Sequence, residues 1–302
     1  MTALTDYQQN LAVGTEMTSK IKEEVDEIVN QLEDKLSTLC RTIWENPEIG
    51  QQEFKSHDTI CDFMESLGYT VTRHAYGLPT AFEVLSGSGG RLVNFNAEYD
   101  SLPGIGHACG HNLITTSSVT AFLTLAKTIE KLGIEGRVQL LGTPDEEGEG
   151  GKPKLIAAGA YKGVDVSLMA HPFEGCDSGD GNYYPDGIAG FRMVGRQKFT
   201  AEYFGKPAHA GSNPWDGVNA LDAVVSAYNN LALLRQQIQS TERIHNVFIE
   251  SDKVVNIIPA YAKATYHVRS AKLRGLRALE AKVKKIVEAA ALATGCEVKM
   301  EG

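Results

Sequence analysis

From residue 91 to residue 171 the sequence alternates short apolar runs with helical segments, and each apolar run ends on residues that carry chemistry. RLVNFNA (91–97), RVQLLGT (137–143) and VDVSLMA (164–170) read as strands. Helical patterns lie between them at about 111–132 and 153–160. Apolar strands joined through helices predict an α/β fold, with a largely parallel sheet covered by helices. In an open sheet of that kind, ligands bind beyond the carboxyl ends of the strands. Glu98, Tyr99, Asp100 and LPGIGHACGHN follow the first strand, Pro144, Asp145, Glu146 and Glu147 the second, and His171 and Pro172 the third. Carboxylates, imidazoles and one thiol thus arrive at the same edge.

The flanks set the domain organisation. Upstream, Ile21, Val25, Ile28, Leu32, Leu36 and Leu39 keep helical spacing across residues 20–45, and Pro47 ends that helix. A second helix is expected at 53–67, then strands in YTVTRHA and TAFEVLS. After Gly190 the rhythm changes: a strand at 191–204, a helix at 215–238, strands at 244–250 and 256–268, a helix at 273–293 and a last strand in CEVKM. That order is the β-α-β-β-α-β ferredoxin-like unit, a small α+β domain in itself. The glycine-rich DGIAG places the boundary there, giving domains 1–188 and 189–302.

Thiolate, imidazole and carboxylate are the usual ligands of Zn²⁺ and related divalent ions. Cys109 and His111 sit two apart between glycines, which favours a metal site over a merely buried thiol. His107 reads equally as a ligand, an orienting residue or a loop histidine. In Glu146–Glu147, adjacent side chains point apart, so one can bind metal while the other serves as general base toward a metal-activated water. An acidic, solvated turn is the plainer interpretation of DEEGE, and its place after a core strand favours the functional one. Taken alone, His171 reads as a satisfied core histidine and His209, in GKPAHAG, as a surface-loop histidine. A thiol or redox enzyme built on Cys109 lacks a CxxC partner.

The charge excludes other classes. Twenty-nine basic against 38 acidic residues give a formal charge of −9, so neither nucleic acid nor a polybasic membrane contact is expected. No apolar run reaches the roughly 18 residues of a spanning helix, and the N-terminus does not read as a secretory signal. Five scattered cysteines fit reduced thiols and a cytoplasmic location.

EYDSLPGIGHACGHN, GTPDEEGEGGK, MAHP, GKPAHAGSNPWDGVNA and NIIP, in that order, resemble the M20 metallopeptidases. They are most similar to the amidohydrolase branch and, within it, the M20 domain-containing protein 2 (aminoacylase-1-like 2) group. The resemblance implies a zinc-exopeptidase-like catalytic domain carrying an inserted lid or dimerisation domain. It makes Cys109, His111, Glu147 and His171 metal ligands of two Zn²⁺ or Mn²⁺ ions. It makes Glu146 the general base, His209 an oxyanion-stabilising residue reaching a partner subunit, and Asp100 a supporting residue. The implied substrates are N-acyl amino acids and dipeptides, in the closest branch those with a basic C-terminal residue. The implied assembly is a homodimer through the lid. Asn112 stands where the branch usually has Asp. The family's chain also returns from the lid to add a strand, helices and a last histidine ligand, whereas this sequence ends at Gly302. The alternative expectation is therefore a truncated, inactive chain that serves as a dimerisation or ligand-binding module.

Overall fold

Ile28, Leu32, Leu36, Leu39 and Ile43 bury one stripe of helix α1 (Thr2–Trp44) against the neighbouring layer, as apolar residues every three or four positions require. The computed structural model describes residues 2–173, 187–190 and 193–302, with side chains from residue 16 onward. Cys176 and positions 191 and 192 of the strand expected at 191–204 lie outside the described residues. The chain divides into two compact units, Met1–Asn182 and Tyr183–Gly302.

In the first unit, α1 is followed by α2 (Phe54–Ser66), β1 (Val71–Arg73), β2 (Phe82–Ser88), β3 (Leu92–Ala97), α3 (His111–Lys131), β4 (Gly136–Gly142), α4 (Gly151–Ala157) and β5 (Val166–Leu168). Among the described residues the sheet has the order β1-β2-β4-β3-β5. The strands β4, β3 and β5 run parallel, while β1 and β2 run antiparallel to their neighbours. The largely parallel sheet expected from the strand–helix rhythm is therefore a mixed one. The reason is connection length. A parallel return needs a crossover of about a dozen residues, and only residues 89–91 separate β2 from β3. The chain must reverse there, and β4 then inserts between the two strands. The core beneath joins α1, α2 and α3 to the sheet through Ile60, Met64, Val84, Tyr99, Phe122, Leu123 and Leu140. At the sheet's end, β5 leaves Val166 and Leu168 exposed.

The second unit contains β6 (Gly195–Phe204), α5 (Ala220–Leu234), β7 (Arg243–Ser251), β8 (Tyr261–Ser270), α6 (Leu273–Thr294) and β9 (Glu297–Glu301). Its antiparallel sheet has the order β7-β8-β6-β9. This is the split β-α-β-β-α-β arrangement, with both helices packed on the sheet through Val224, Leu231, Val283 and Val287. Asn219 caps α5, its Oδ1 accepting the backbone N–H of Leu221 at 3.0 Å.

Phe122 is fully buried and meets Tyr69 edge-on, with ring centroids 5.2 Å apart. Phe122→Ala is expected to lower the unfolding free energy of the first unit by about 3–5 kcal/mol, measured by urea denaturation. A loss below about 1 kcal/mol would contradict this placement of the core.

Candidate metal centre

Beyond Ala97 successive side chains part company. Tyr99 turns into the core, stacks on Phe82 and donates its hydroxyl to the Thr80 carbonyl. Glu98 and Asp100 are buried beside His111, the first residue of α3. One Asp100 oxygen accepts Nδ1–H of His111 at 3.0 Å, and the other accepts the backbone N–H of Glu147 at 2.8 Å. A single carboxylate therefore joins the start of α3 to the loop after β4. Burial opposes its ionisation, but the bond from His111, that amide and the imidazole charge hold its carboxyl below the ordinary value.

With Nδ1 donating to Asp100, a neutral His111 presents a lone pair at Nε2. That atom is buried and has no hydrogen-bond partner. Oxygens of Glu98, Glu147 and Glu146 lie 3.5, 3.8 and 4.0 Å from it. The facing Glu98 Oε2 is buried and unpartnered as well, while its Oε1 pairs with Lys152. Acceptors converge there, and a cluster of imidazole and carboxylate groups is the donor set that suits a divalent metal.

The thiol side is built by a close approach. Gly110 has φ +79°, and a Cβ there would lie 2.7 Å from Cγ of Pro172, so only glycine lets His171–Pro172 close on the loop. His171 donates from Nδ1 to the Pro172 carbonyl at 2.6 Å, and its Nε2 meets Sγ of Cys109 at 3.5 Å. An imidazole fixed through Nδ1 is free to ligate through Nε2. Ligand atoms of Cys109, His111 and His171 lie within 4.8 Å of one another, as do those of His111, Glu146 and Glu147. His111 belongs to both sets.

The electrostatics follow from this crowding. Burial, then the charges of Glu98 and Glu147, raises Glu146 above its ordinary value. Burial and Glu147 push the Cys109 thiol up to about 12. Burial works against a charged His111, but Asp100, Glu98 and Glu147 outweigh it and raise that imidazole. A bound cation reverses the balance for the thiol, since it favours the thiolate.

Of the residues singled out from the sequence, Asp100, Cys109, His111, Glu146, Glu147 and His171 meet here. His107 does not join them: its Nε2 donates to the Ile43 carbonyl at 3.1 Å. His209 lies in the second unit, exposed, with Nδ1 accepting the N–H groups of Gly211 and Ser212 at 3.1 Å each. That pair of bonds leaves the imidazole proton on Nε2. Glu98 was not among the predicted site residues. Its place directly after the β3 run, two residues before Asp100, was the available signal. Lys152 had none, because nothing in GEGGK says which carboxylate its amine meets.

Residues 93–297 match Peptidase family M20/M25/M40. The chain belongs to this family. It is 40% identical over 294 residues to the Xaa-Arg dipeptidase of Mus musculus, covering 93% of this chain and 65% of that protein. It is 29% identical to a p-aminobenzoyl-glutamate hydrolase polypeptide of Escherichia coli, covering 91% and 59%. The chain thus spans less than two thirds of either relative. Its fold is shared with a dinuclear metal-binding M20 peptidase of Bacillus subtilis, with TM-score 0.61, 19% identity, and 90% and 74% of the two chains covered. It is shared too with an aminobenzoyl-glutamate utilization protein of Klebsiella pneumoniae, with TM-score 0.69, 20% identity, and 92% and 77% covered.

Zn²⁺ or Mn²⁺ added to chelator-treated protein is expected to raise Tm by several degrees at about a hundredfold excess over Kd. His111→Ala should remove most of that shift, because His111 serves both ligand sets. Differential scanning fluorimetry reads the effect, and a wild-type Tm indifferent to both ions would contradict the centre.

Proposed function

We propose that the chain is a metal-dependent hydrolase of amide bonds in dipeptides or N-acyl amino acids. The observation that carries this is the buried, unpartnered Nε2 of His111, ringed by carboxylates, with half-exposed Glu146 at its edge. Two divalent ions, Zn²⁺ or Mn²⁺, are the cofactors. Cys109, His111, Glu147 and His171 would hold them, and they would supply Lewis acidity and a water of lowered pKa.

The two glutamates divide their roles by exposure. The Glu147 side chain is 21% exposed and that of Glu146 is 45% exposed, so Glu146 is the one that faces an arriving substrate. Its carboxylate takes the proton of the attacking water and delivers it to the leaving amine nitrogen. Its raised pKa suits a group that must both accept and return a proton near neutrality. Asp100 keeps the His111 ring in the ligating tautomer. His209 donates from Nε2–H to the oxyanion of the attacked carbonyl. The Xaa-Arg dipeptidase relative makes dipeptides ending in a basic residue the first substrates to test.

In the same proposal, residues 1–188 form the catalytic domain and 189–302 the lid, which pairs two copies. On edge strand β7, Val247, Phe248 and Ile249 are 62%, 48% and 55% exposed, an apolar edge of the kind that seeks a partner strand. His209 then acts in the partner's site. No described helix is long and apolar enough to cross a membrane. Cys40, Cys61, Cys109 and Cys296 are free thiols, which supports the cytoplasm as the place of action.

Glu146→Gln is expected to lower kcat by about 10²–10⁴-fold while metal content by mass spectrometry stays unchanged. Full turnover in this variant would remove Glu146 from the role of base. No turnover in the wild-type chain, with metal bound, would favour the binding or dimerisation module instead. Phe248→Glu should convert a dimer to a monomer in sedimentation velocity, and a wild-type chain that sediments only as a monomer would remove the trans role of His209.

A further inference from the structure

The Glu146 side chain is 45% exposed, yet a general base must be aimed. The backbone on its C-terminal side is held by the Glu147 N–H to Asp100 bond at 2.8 Å. The N-terminal side is held by Asp145, which is 3% exposed and sits in the left-handed region at φ +62°. Non-glycine residues are uncommon in that region, aspartate and asparagine less so than others, and those that adopt it concentrate at turns and functional sites.

Every polar atom of Asp145 is engaged. Its N–H donates to Oε1 of Glu53 at 2.8 Å. Its carbonyl accepts from the N–H groups of Gly150 and Gly151 at 3.0 and 3.1 Å. Its Oδ2 accepts from Nε2 of Gln51 at 2.8 Å, and its Oδ1 from the N–H of Glu149 at 3.3 Å. Gly50 and Gly148 close around the side chain, since a Cβ on either would overlap Oδ1. Glu53 is fully buried, and its second oxygen accepts the Thr80 hydroxyl at 2.8 Å. Gln51 is itself left-handed, at φ +63°, although its residue is exposed. Two non-glycine residues, 94 positions apart, thus hold left-handed backbone conformations and are tied to each other by one hydrogen bond.

We propose that Gln51, Glu53 and Asp145 form a bracket that fixes the turn before Glu146, and that they are positioning residues for the general base. The inference rests on the reading of Glu146 given above. Gln51 marks the bracket as more than core packing: it is an exposed loop residue whose amide reaches the one side chain preceding the base. Asparagine tolerates the left-handed region as aspartate does; its Oδ1 can accept from Glu149 N–H and its Nδ2 can donate to Oε1 of a turned Gln51 amide, so Asp145→Asn preserves the turn and its anchors while removing the charge. Asp145→Ala removes both the side-chain anchors and the conformational preference.

The test uses the full chain and two measurements. By hydrogen exchange, amides of 145–151 are expected to lose about tenfold protection in Gln51→Ala and more in Asp145→Ala, with β3 unchanged, because local opening is independent of the global fold. Asp145→Asn should restore most of the loss. By turnover of a dipeptide ending in arginine, kcat should fall about tenfold in Gln51→Ala and about a hundredfold in Asp145→Ala, with KM within about twofold, the signature of a misplaced group. Asp145→Asn should again recover most of it. Unchanged exchange at 145–151 in both alanine variants overturns the proposal. So does equal loosening of β3, or an Asp145→Asn variant as impaired as Asp145→Ala. Exchange requires no turnover, so the bracket stands or falls on it even if Glu146→Gln shows that Glu146 is not the base.

Discussion

The centre depends on one buried carboxylate. Asp100 accepts Nδ1–H of His111 with one oxygen and the backbone N–H of Glu147 with the other. A carboxylate buried this deeply is costly unless its lone pairs are satisfied, and these two donors satisfy it. The same bonds set the His111 tautomer and draw the loop after β4 onto the start of α3. The direction of Nε2, the gathering of carboxylates around it and the exposure of Glu146 follow from that attachment.

The surrounding pieces are arranged so that like groups meet without neutralising one another. Lys152 takes one oxygen of Glu98 and leaves the other facing His111. Gly110 permits Pro172 to approach, which brings His171 against Cys109. Carboxylates, imidazoles and a thiol pushed up to about 12 gather at this edge, a donor set that suits a divalent cation.

Much of this was legible in the sequence. Periodicity located α1, α3, α5 and α6, and short apolar runs located β3 and β4, because amphipathic spacing reports directly on which residues must leave water. The change of rhythm near Gly190 marked the second unit's β-α-β-β-α-β order. The ends of the parallel strands pointed to Asp100, Cys109, His111, Glu146, Glu147 and His171, since such ends are where the chain leaves the sheet together. Sheet order was not legible. The direction of β2 follows from a three-residue connection at 89–91 combined with the insertion of β4, and periodicity carries no record of which strand lies beside which. The exposure of β5 was likewise hidden, because an apolar run looks the same whether or not a neighbour covers it.

The sequence by itself determined the kinds of groups present, the order in which they are delivered and the local conformations that glycine allows. Those properties depend on neighbours within a few residues. Only the tertiary structure decided which of them act together. It placed Glu98 beside His111 and paired it with Lys152, 54 positions away. It turned His107 away to the Ile43 carbonyl, 64 positions away. It joined Gln51 and Glu53 to Asp145 across more than 90 residues of chain. Side-chain pairs at such separations are fixed by sheet register and helix docking, which depend on the packing of the whole unit rather than on any short segment.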